Sequence, residues 1–412
     1  MNTLLQTSVR QSHLRPLLTV LSGNSAVAAV TLIRNIFAAR LIGAEQFGVA
    51  VTLAIVATGI EMASNLGLQQ IIVRDARGEN PKFQASLQFV QGVRGVFCAV
   101  LLYLLAPVCA HFFGLDDLIW AFRLAALAPL AAGFAHLDAY RYQRNSRFGP
   151  SIAISLGPAL LSLLLVLPLF QKFGDFRVLL ISGLIQSFGT LIMSHLVAER
   201  RFTCTLSARH WNSIWRFGSP LALNGLLLLG VFHGEKILVA HLRSPGELAI
   251  LAMGFTLTLT PALILGRSLQ AYALPRLSQI AEQREFQTQS RNLIVLCIGI
   301  AFAATVFMSA TSSAIPLLLG GEFLPLQVLF PLLALLHGLR IARSGPSIVA
   351  LAKGNTFNAV LGNMPRVAAL PAVYFWLTSG GGFAGLLWIA IVAEAIGLAL
   401  CILRLRQNLF KS

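Results

Sequence analysis

Apolar stretches of twenty or more residues recur along the whole of this 412-residue chain, each long enough to cross the ~30 Å hydrocarbon core of a bilayer as a helix. Twelve such runs lie near 17–41, 47–72, 87–112, 117–138, 149–170, 176–198, 214–242, 248–273, 292–318, 325–351, 356–378 and 383–404. Hydrocarbon offers backbone groups no partner outside their own segment, so runs of this length must be helices; a barrel would show alternating strands of about ten residues. The predicted fold class is an all-α polytopic membrane protein with about twelve transmembrane helices. Composition agrees: 56% of residues are hydrophobic and 11% charged, with a mean hydropathy of +0.76, whereas a soluble domain carries about 25% charged residues.

The net charge of +16 raises nucleic acid as a partner, but there is no long basic arm and no aromatic-basic RNA-binding signature, so none is expected. The location of the cations is more informative. With the N-terminus inside, the inner connections hold nineteen Lys and Arg, among them Arg10, Arg15, Arg74, Arg77, Arg141, Arg200, Arg209, Arg276 and Lys411; the outer ones hold Arg40, Lys172, Arg177 and Arg243. The positive-inside rule then predicts a multi-pass protein of a bacterial inner membrane with both termini cytoplasmic. The first apolar run is too long for the core of a cleaved signal and is read as a helix that stays. Five scattered cysteines (Cys98, Cys109, Cys204, Cys297, Cys401) show no C-x-x-C spacing, so neither a disulfide nor a metal or cofactor is expected. No outer connection exceeds about ten residues. A membrane glycan polymerase or ligase needs a large outer loop for its chemistry, so the chain reads as a transporter with no catalytic residues rather than as an enzyme.

Sliding the chain on itself by 202 residues places Arg34 on Lys236, Glu45 on Glu247 and Arg74 on Arg276. A helix, a short Glu-bearing turn, a second helix and a basic exit thus recur, which predicts two six-helix halves, residues 1–200 and 201–412. Six helices per half give both halves the same orientation, and transporters of this plan expose a path between the halves to one side at a time.

Eight cations remain within or near the spans (Arg34, Arg94, Arg123, Lys236, Arg267, Arg340, Arg343 and Arg366) against three acids, Glu61, Glu235 and Glu394. A charge at a helix centre costs about 2.5 to 3.5 kcal/mol, so the surplus requires water or an anionic ligand. Helical spacing assembles polar stripes from Asn24, Thr31 and Asn35 beside Arg34, from Thr58, Glu61 and Asn65, from Asn224 and Glu235 beside Lys236, and from Thr256, Thr260 and Arg267. Arg34, Lys236 and Arg267 suit a pyrophosphate or an acidic sugar, because guanidinium offers bidentate donors and Lys a point charge. Asn35, Asn65 and Asn224 complete the expected substrate site, and Glu61 or Glu235 is the expected carrier of a coupling ion, H+ or Na+. The alternative for any one cation is snorkelling to an interface, favoured for Arg94 and Arg123, each about two turns from a helix end. Arg366 and Glu394, both at mid-span, are expected to pair. Prolines inside spans, including Pro158, Pro365 and Pro371, fit broken or flexible membrane helices.

The turn from Leu41 to Gly48, LIGAEQFG, resembles the Leu-Gly-x-Glu-x-Phe-Gly turn of Wzx-type polysaccharide flippases, members of the MATE-like multidrug/oligosaccharidyl-lipid/polysaccharide exporter superfamily. The likeness continues through NLGLQQ at 65–70, WRFGSP at 215–220, the Glu235-Lys236 pair, GGEF at 320–323 and the glycine turn at Gly382. It implies translocation of undecaprenyl-diphosphate-linked oligosaccharide units to the outer leaflet for O-antigen or exopolysaccharide assembly, with membrane lipid and a polysaccharide polymerase as further partners. Two departures, Leu248-Ala249 where the family has Gly-Tyr and Glu235 where it has Asp, leave the coupling ion and the cargo open. The rival is a MATE-type ion-coupled small-molecule exporter, whose commonly cationic substrates suit an acidic cavity.

Overall fold

The computed structural model describes residues 2–144, 147–205, 208–355 and 357–410, with side chains throughout except at 2–21, 208–210, 212–213 and 408–410. Of the cations counted at the inner face, the side chains of Arg10, Arg15 and Arg209 and the whole of Lys411 lie outside the described residues. The described residues form helices α1 (Asn2–Ala63), α2 (Leu68–Arg74), α3 (Pro81–Phe112), α4 (Ile119–Ala125), α5 (Leu127–Phe134), α6 (Asp138–Arg144), α7 (Gly149–Leu164), α8 (Val166–Phe173) and α9 (Arg177–Val197). After these come α10 (Ala208–Leu242), α11 (Pro245–Leu277), α12 (Gln283–Ala310), α13 (Ile315–Leu319), α14 (Leu324–Ala352), α15 (Phe357–Ala368), α16 (Leu370–Thr378) and α17 (Phe383–Phe410). The chain is all-α and multi-pass.

Among the described residues ten helical stretches are long and apolar enough to cross a membrane. One of them, Ser22–Ala63, has 42 residues and would measure roughly 60 Å, twice the hydrocarbon thickness. Its backbone breaks at Gly43 (φ 79°, ψ 170°), so it supplies two crossings. Phe357 to Thr378 supplies a further crossing in two pieces of 12 and 9 residues. The expected twelve spans are accounted for in this way.

Five runs expected to be single helices are divided: at 64–67 between α1 and α2, at Ala126 between α4 and α5, at Leu165 between α7 and α8, at 311–314 between α12 and α13, and at Ala369 between α15 and α16. A proline follows each break but the first within three residues, at Pro129, Pro168, Pro316 and Pro371. The ring of a helical proline clashes with the carbonyl four residues earlier and offers no N–H to it, so the helical hydrogen bonding lapses just before the ring while Ala126, Leu165 and Ala369 keep helical dihedrals. Pro158 and Pro365 sit instead inside continuous helices.

The chain forms two compact units: residues 1–42 with 49–229, and residues 43–48 with 230–412. In the first unit α3 and α5 approach at Gly95 and Gly133; a Cβ on Gly95 would lie 2.4 Å from the Gly133 Cα. Small residues at such a crossing let membrane helices pack by close backbone contact. A core of Val49, Leu53, Ala106, Ala110, Phe122 and Phe176 holds the other end of α3.

In the second unit α11, α12 and α14 enclose a core around Leu293, Cys297, Ile341 and Val349. The turn at 43–48 is fixed there by carboxylates. Glu322 accepts from the Ala44 amide at 2.6 Å, and Glu45 accepts from the Gly246 amide, in the first turn of α11, at 2.9 Å. Glu247, the repeat counterpart of Glu45, closes a capping box with Ser244 at the same helix start. Both turn glutamates therefore act on one helix N-terminus.

Candidate functional site

The first unit contains a cavity of about 570 Å³, within the roughly 300–1,000 Å³ typical of small-molecule sites. The C-terminal stretch of α1 contributes Thr58 and Glu61, the connection just after it contributes Asn65, and the earlier part of α1 contributes Asn24. Further polar lining comes from Gln69 and Gln70 of α2, Gln91 and Arg94 of α3, Tyr140 and Gln143 of α6, Ser151 and Ser155 of α7, and Thr190 and Ser194 of α9. Glu61 and Arg94 are close enough to feel each other's charge, yet neither side chain makes an ion pair or hydrogen bond among the described residues. Arg94, expected to snorkel, thus lines the cavity, with a buried Nε that has no protein partner. An unpaired carboxylate and an unpaired guanidinium at membrane depth require water or a ligand between them. This space suits a molecule dense in hydroxyls and amides.

The cavity wall is held at one end by a buried polar network. Gln91 Nε2 donates to the Ala132 and Ala135 carbonyls, both at 2.9 Å, which satisfies the end of α5. The His136 amide donates to Ser194 Oγ at 2.8 Å, and the Asp138 amide donates to His136 Nδ1 at 3.0 Å. Asp138, fully buried, accepts from Arg141 Nε at 2.7 Å and from the Glu199 and Arg200 amides at 2.9 and 3.3 Å. Burial alone would raise its carboxyl, but the Arg141 guanidinium and the two amides hold it below the usual carboxylate range.

Arg34 of α1 lies outside this cavity. It donates to Gln186 Oε1 at 2.6 Å on α9, to Ser162 Oγ at 2.9 Å on α7, and to the neighbouring Asn35 Oδ1 at 3.2 Å. All three partners are neutral, so its charge is hydrogen-bonded but not neutralised by the protein. Asn224, on the part of α10 belonging to the first unit, is half-buried and does not line the cavity.

The second unit gathers charges that the sequence kept apart. Glu235 on α10 accepts a hydrogen bond from Arg366 on α15. Arg366 also lies 3.6 Å from Glu394 on α17, the pairing expected from the sequence. Glu394 accepts from Arg343 Nε of α14 at 2.9 Å and lies 3.7 Å from Arg340 Nε, while Arg343 also donates to Asn363 at 2.9 Å. Glu235, Arg343, Arg366 and Glu394 are all buried. Lys236 stands apart from them, its Nζ 5.7 Å from the Phe255 ring centroid, and Arg267 on α11 is exposed. Arg123 rests over Tyr103, 5.0 Å from its ring centroid. The eight span cations therefore divide: three are held in this network, one lines the cavity, and four stand elsewhere.

The cavity residues on α3 carried a readable signal. Gln84, Gln88, Gln91 and Arg94 follow at spacings of four, three and three, one face of a helix. Among the described residues no cluster of His, Cys, Asp or Glu fits a metal ion.

Residues 37–328, more than half of the chain, match the family described as "Polysaccharide biosynthesis protein". The chain belongs to this polysaccharide biosynthesis protein family. No curated protein matches it. Solved structures share the fold at low identity. The inward-closed lipid II flippase MurJ aligns with a TM-score of 0.73 at 14% identity, covering 94% of this chain and 87% of MurJ. An inward-facing multidrug resistance MATE family transporter of the MOP superfamily aligns at 0.72 and 14%, covering 94% and 96%. The eukaryotic MATE transporter AtDTX14 aligns at 0.66 and 15%, covering 97% and 99%. This polysaccharide biosynthesis protein thus has the MATE-like fold of that superfamily.

Proposed function

We propose that this protein is a flippase, not an enzyme, that moves undecaprenyl-diphosphate-linked oligosaccharide units across the bacterial inner membrane. It does so by alternating access of two six-helix halves, residues 1–200 and 201–412, with both termini cytoplasmic, and its product enters O-antigen or exopolysaccharide assembly, where a polysaccharide polymerase receives it. The observation that carries this reading is the amide- and hydroxyl-walled cavity of the first unit, with Glu61 and Arg94 uncommitted inside it, in a chain of the polysaccharide biosynthesis family. In this reading Asn65 serves the glycan within the cavity, Asn35 and Asn224 serve it outside that wall, and Arg34, Lys236 and Arg267, none of them in an ion pair among the described residues, serve the diphosphate. Glu61, rather than the Arg-bound Glu235, is the better placed carrier of a coupling H+ or Na+, because it faces open space.

The test is genetic. A deletion strain should strand lipid-linked repeat units on the inner leaflet, and Arg34→Gln or Arg267→Gln should fail to restore surface polysaccharide at normal protein levels. Normal polysaccharide in the deletion strain, with no second copy of the gene, would refute the reading. The shared fold with MATE transporters favours a second reading, an ion-coupled small-molecule exporter; it predicts heightened drug sensitivity on deletion with polysaccharide intact.

A further inference from the structure

The eight-to-three excess of span cations suggests an anionic cargo throughout, but the first-unit cavity does not share that excess. Its wall carries one carboxylate, Glu61, and one guanidinium, Arg94, and is otherwise formally neutral. Each offsets the other across the space, so an entering anion finds no net attraction and leaves its own hydration uncompensated. An entering cation fares no better. What the wall does offer is hydrogen bonding: the side-chain amides of Asn24, Gln69, Gln70 and Gln143 line the cavity and have no protein partner among the described residues. Each amide presents a donor and an acceptor in one plane, which matches vicinal hydroxyls or an N-acetyl group. Glu61 can accept from two hydroxyls and Arg94 can donate to ring or carbonyl oxygens.

We infer that this cavity selects an uncharged glycan segment, of neutral or N-acetylated sugars, and discriminates against sugars that carry a carboxylate. The inference rests on the flippase reading and adds the class of sugar. In it the phosphates of the carrier are held outside this cavity, by Arg34, whose hydrogen-bond partners are all neutral.

The experiment uses the full-length protein in two assays. In proteoliposomes, two polyprenyl-diphosphate-linked trisaccharides are compared, one neutral and one identical but for a terminal uronic acid; the neutral one should cross about tenfold faster or more, since the wall offers an acidic sugar no net countercharge for the hydration it loses. In detergent, equilibrium binding of the two free trisaccharides should favour the neutral one, and Glu61→Gln should shift the preference toward the acidic one by leaving Arg94 unopposed. The binding assay keeps the inference testable even where Glu61→Gln stops transport. Equal or faster transport of the acidic glycan overturns the inference while the flippase reading stands. Unchanged relative binding in Glu61→Gln also overturns it. Transport of neither glycan removes the flippase reading and the inference with it.

Discussion

Glu61 near the end of α1 and Arg94 in the middle of α3 face the same cavity without forming an ion pair. In a protein interior, opposite charges this near usually close on each other, and their remaining apart places both at the disposal of a third group. Because no internal contact is lost, Glu61→Gln and Arg94→Gln should leave thermal stability within about 1 kcal/mol of wild type. Each should nevertheless reduce transport about tenfold or more, read as lipid-linked glycan crossing at equal protein in the membrane.

The charges of the second unit should behave in the opposite way. Glu394 meets Arg340, Arg343 and Arg366 while fully buried, so Glu394→Gln leaves three guanidiniums facing one remaining carboxylate, Glu235. Removing one partner of a buried ion pair costs roughly 3–5 kcal/mol. The variant should show a large fall in melting temperature in detergent, or little folded protein by fluorescence-detected gel filtration. Glu235→Gln should be milder, since Arg366 keeps Glu394.

A pH dependence follows from Asp138, which lies outside the spans. Its folded carboxyl is held below the ordinary value of about 3.9 by Arg141 and the Glu199 and Arg200 amides, against the opposing effect of burial. A depressed folded value means the carboxylate contributes stability above pH about 4, and that contribution is lost as pH falls through the folded value. Asp138→Asn should cost about 2 to 3 kcal/mol at pH 7. It should also flatten the acid limb of a melting-temperature profile run from pH 7 to 3, which wild type should show.

Gly43 sets the break in α1 at φ 79° and ψ 170°, a region open essentially to glycine alone. A Cβ there would also lie 2.9 Å from Glu322 Oε2, the oxygen that accepts from the Ala44 amide. Gly43→Ala should destabilise by roughly 1–3 kcal/mol, read as a lower melting temperature, and Gly43→Val should be worse.

The spans were legible because hydrophobic length is a one-dimensional property, and so were the turn at Gly43 and the pairing of Arg366 with Glu394. The breaks at Ala126, Leu165 and Ala369 were hidden by apolar runs that continue across them, although Pro129, Pro168 and Pro371 mark them in hindsight. Depth along α3 suggests by itself that Arg94 snorkels, whereas its helical alignment with Gln84, Gln88 and Gln91 puts it on the polar face of α3. The convergence of Arg340, Arg343, Arg366, Glu235 and Glu394 was not legible, because residues up to 131 positions apart meet there and no periodicity within one helix encodes that meeting.

Under the flippase reading this chain alone should carry a lipid-linked glycan through the bilayer. The most direct test reconstitutes the purified full-length protein into liposomes holding polyprenyl-diphosphate-linked oligosaccharide and follows the fraction of glycan accessible to an external lectin or glycosidase over time. Wild-type protein should render the inner-leaflet pool accessible, and Arg94→Gln, folded and equally incorporated, should do so about tenfold more slowly or worse. Accessibility no different from protein-free liposomes, or an Arg94→Gln rate equal to wild type, would contradict it.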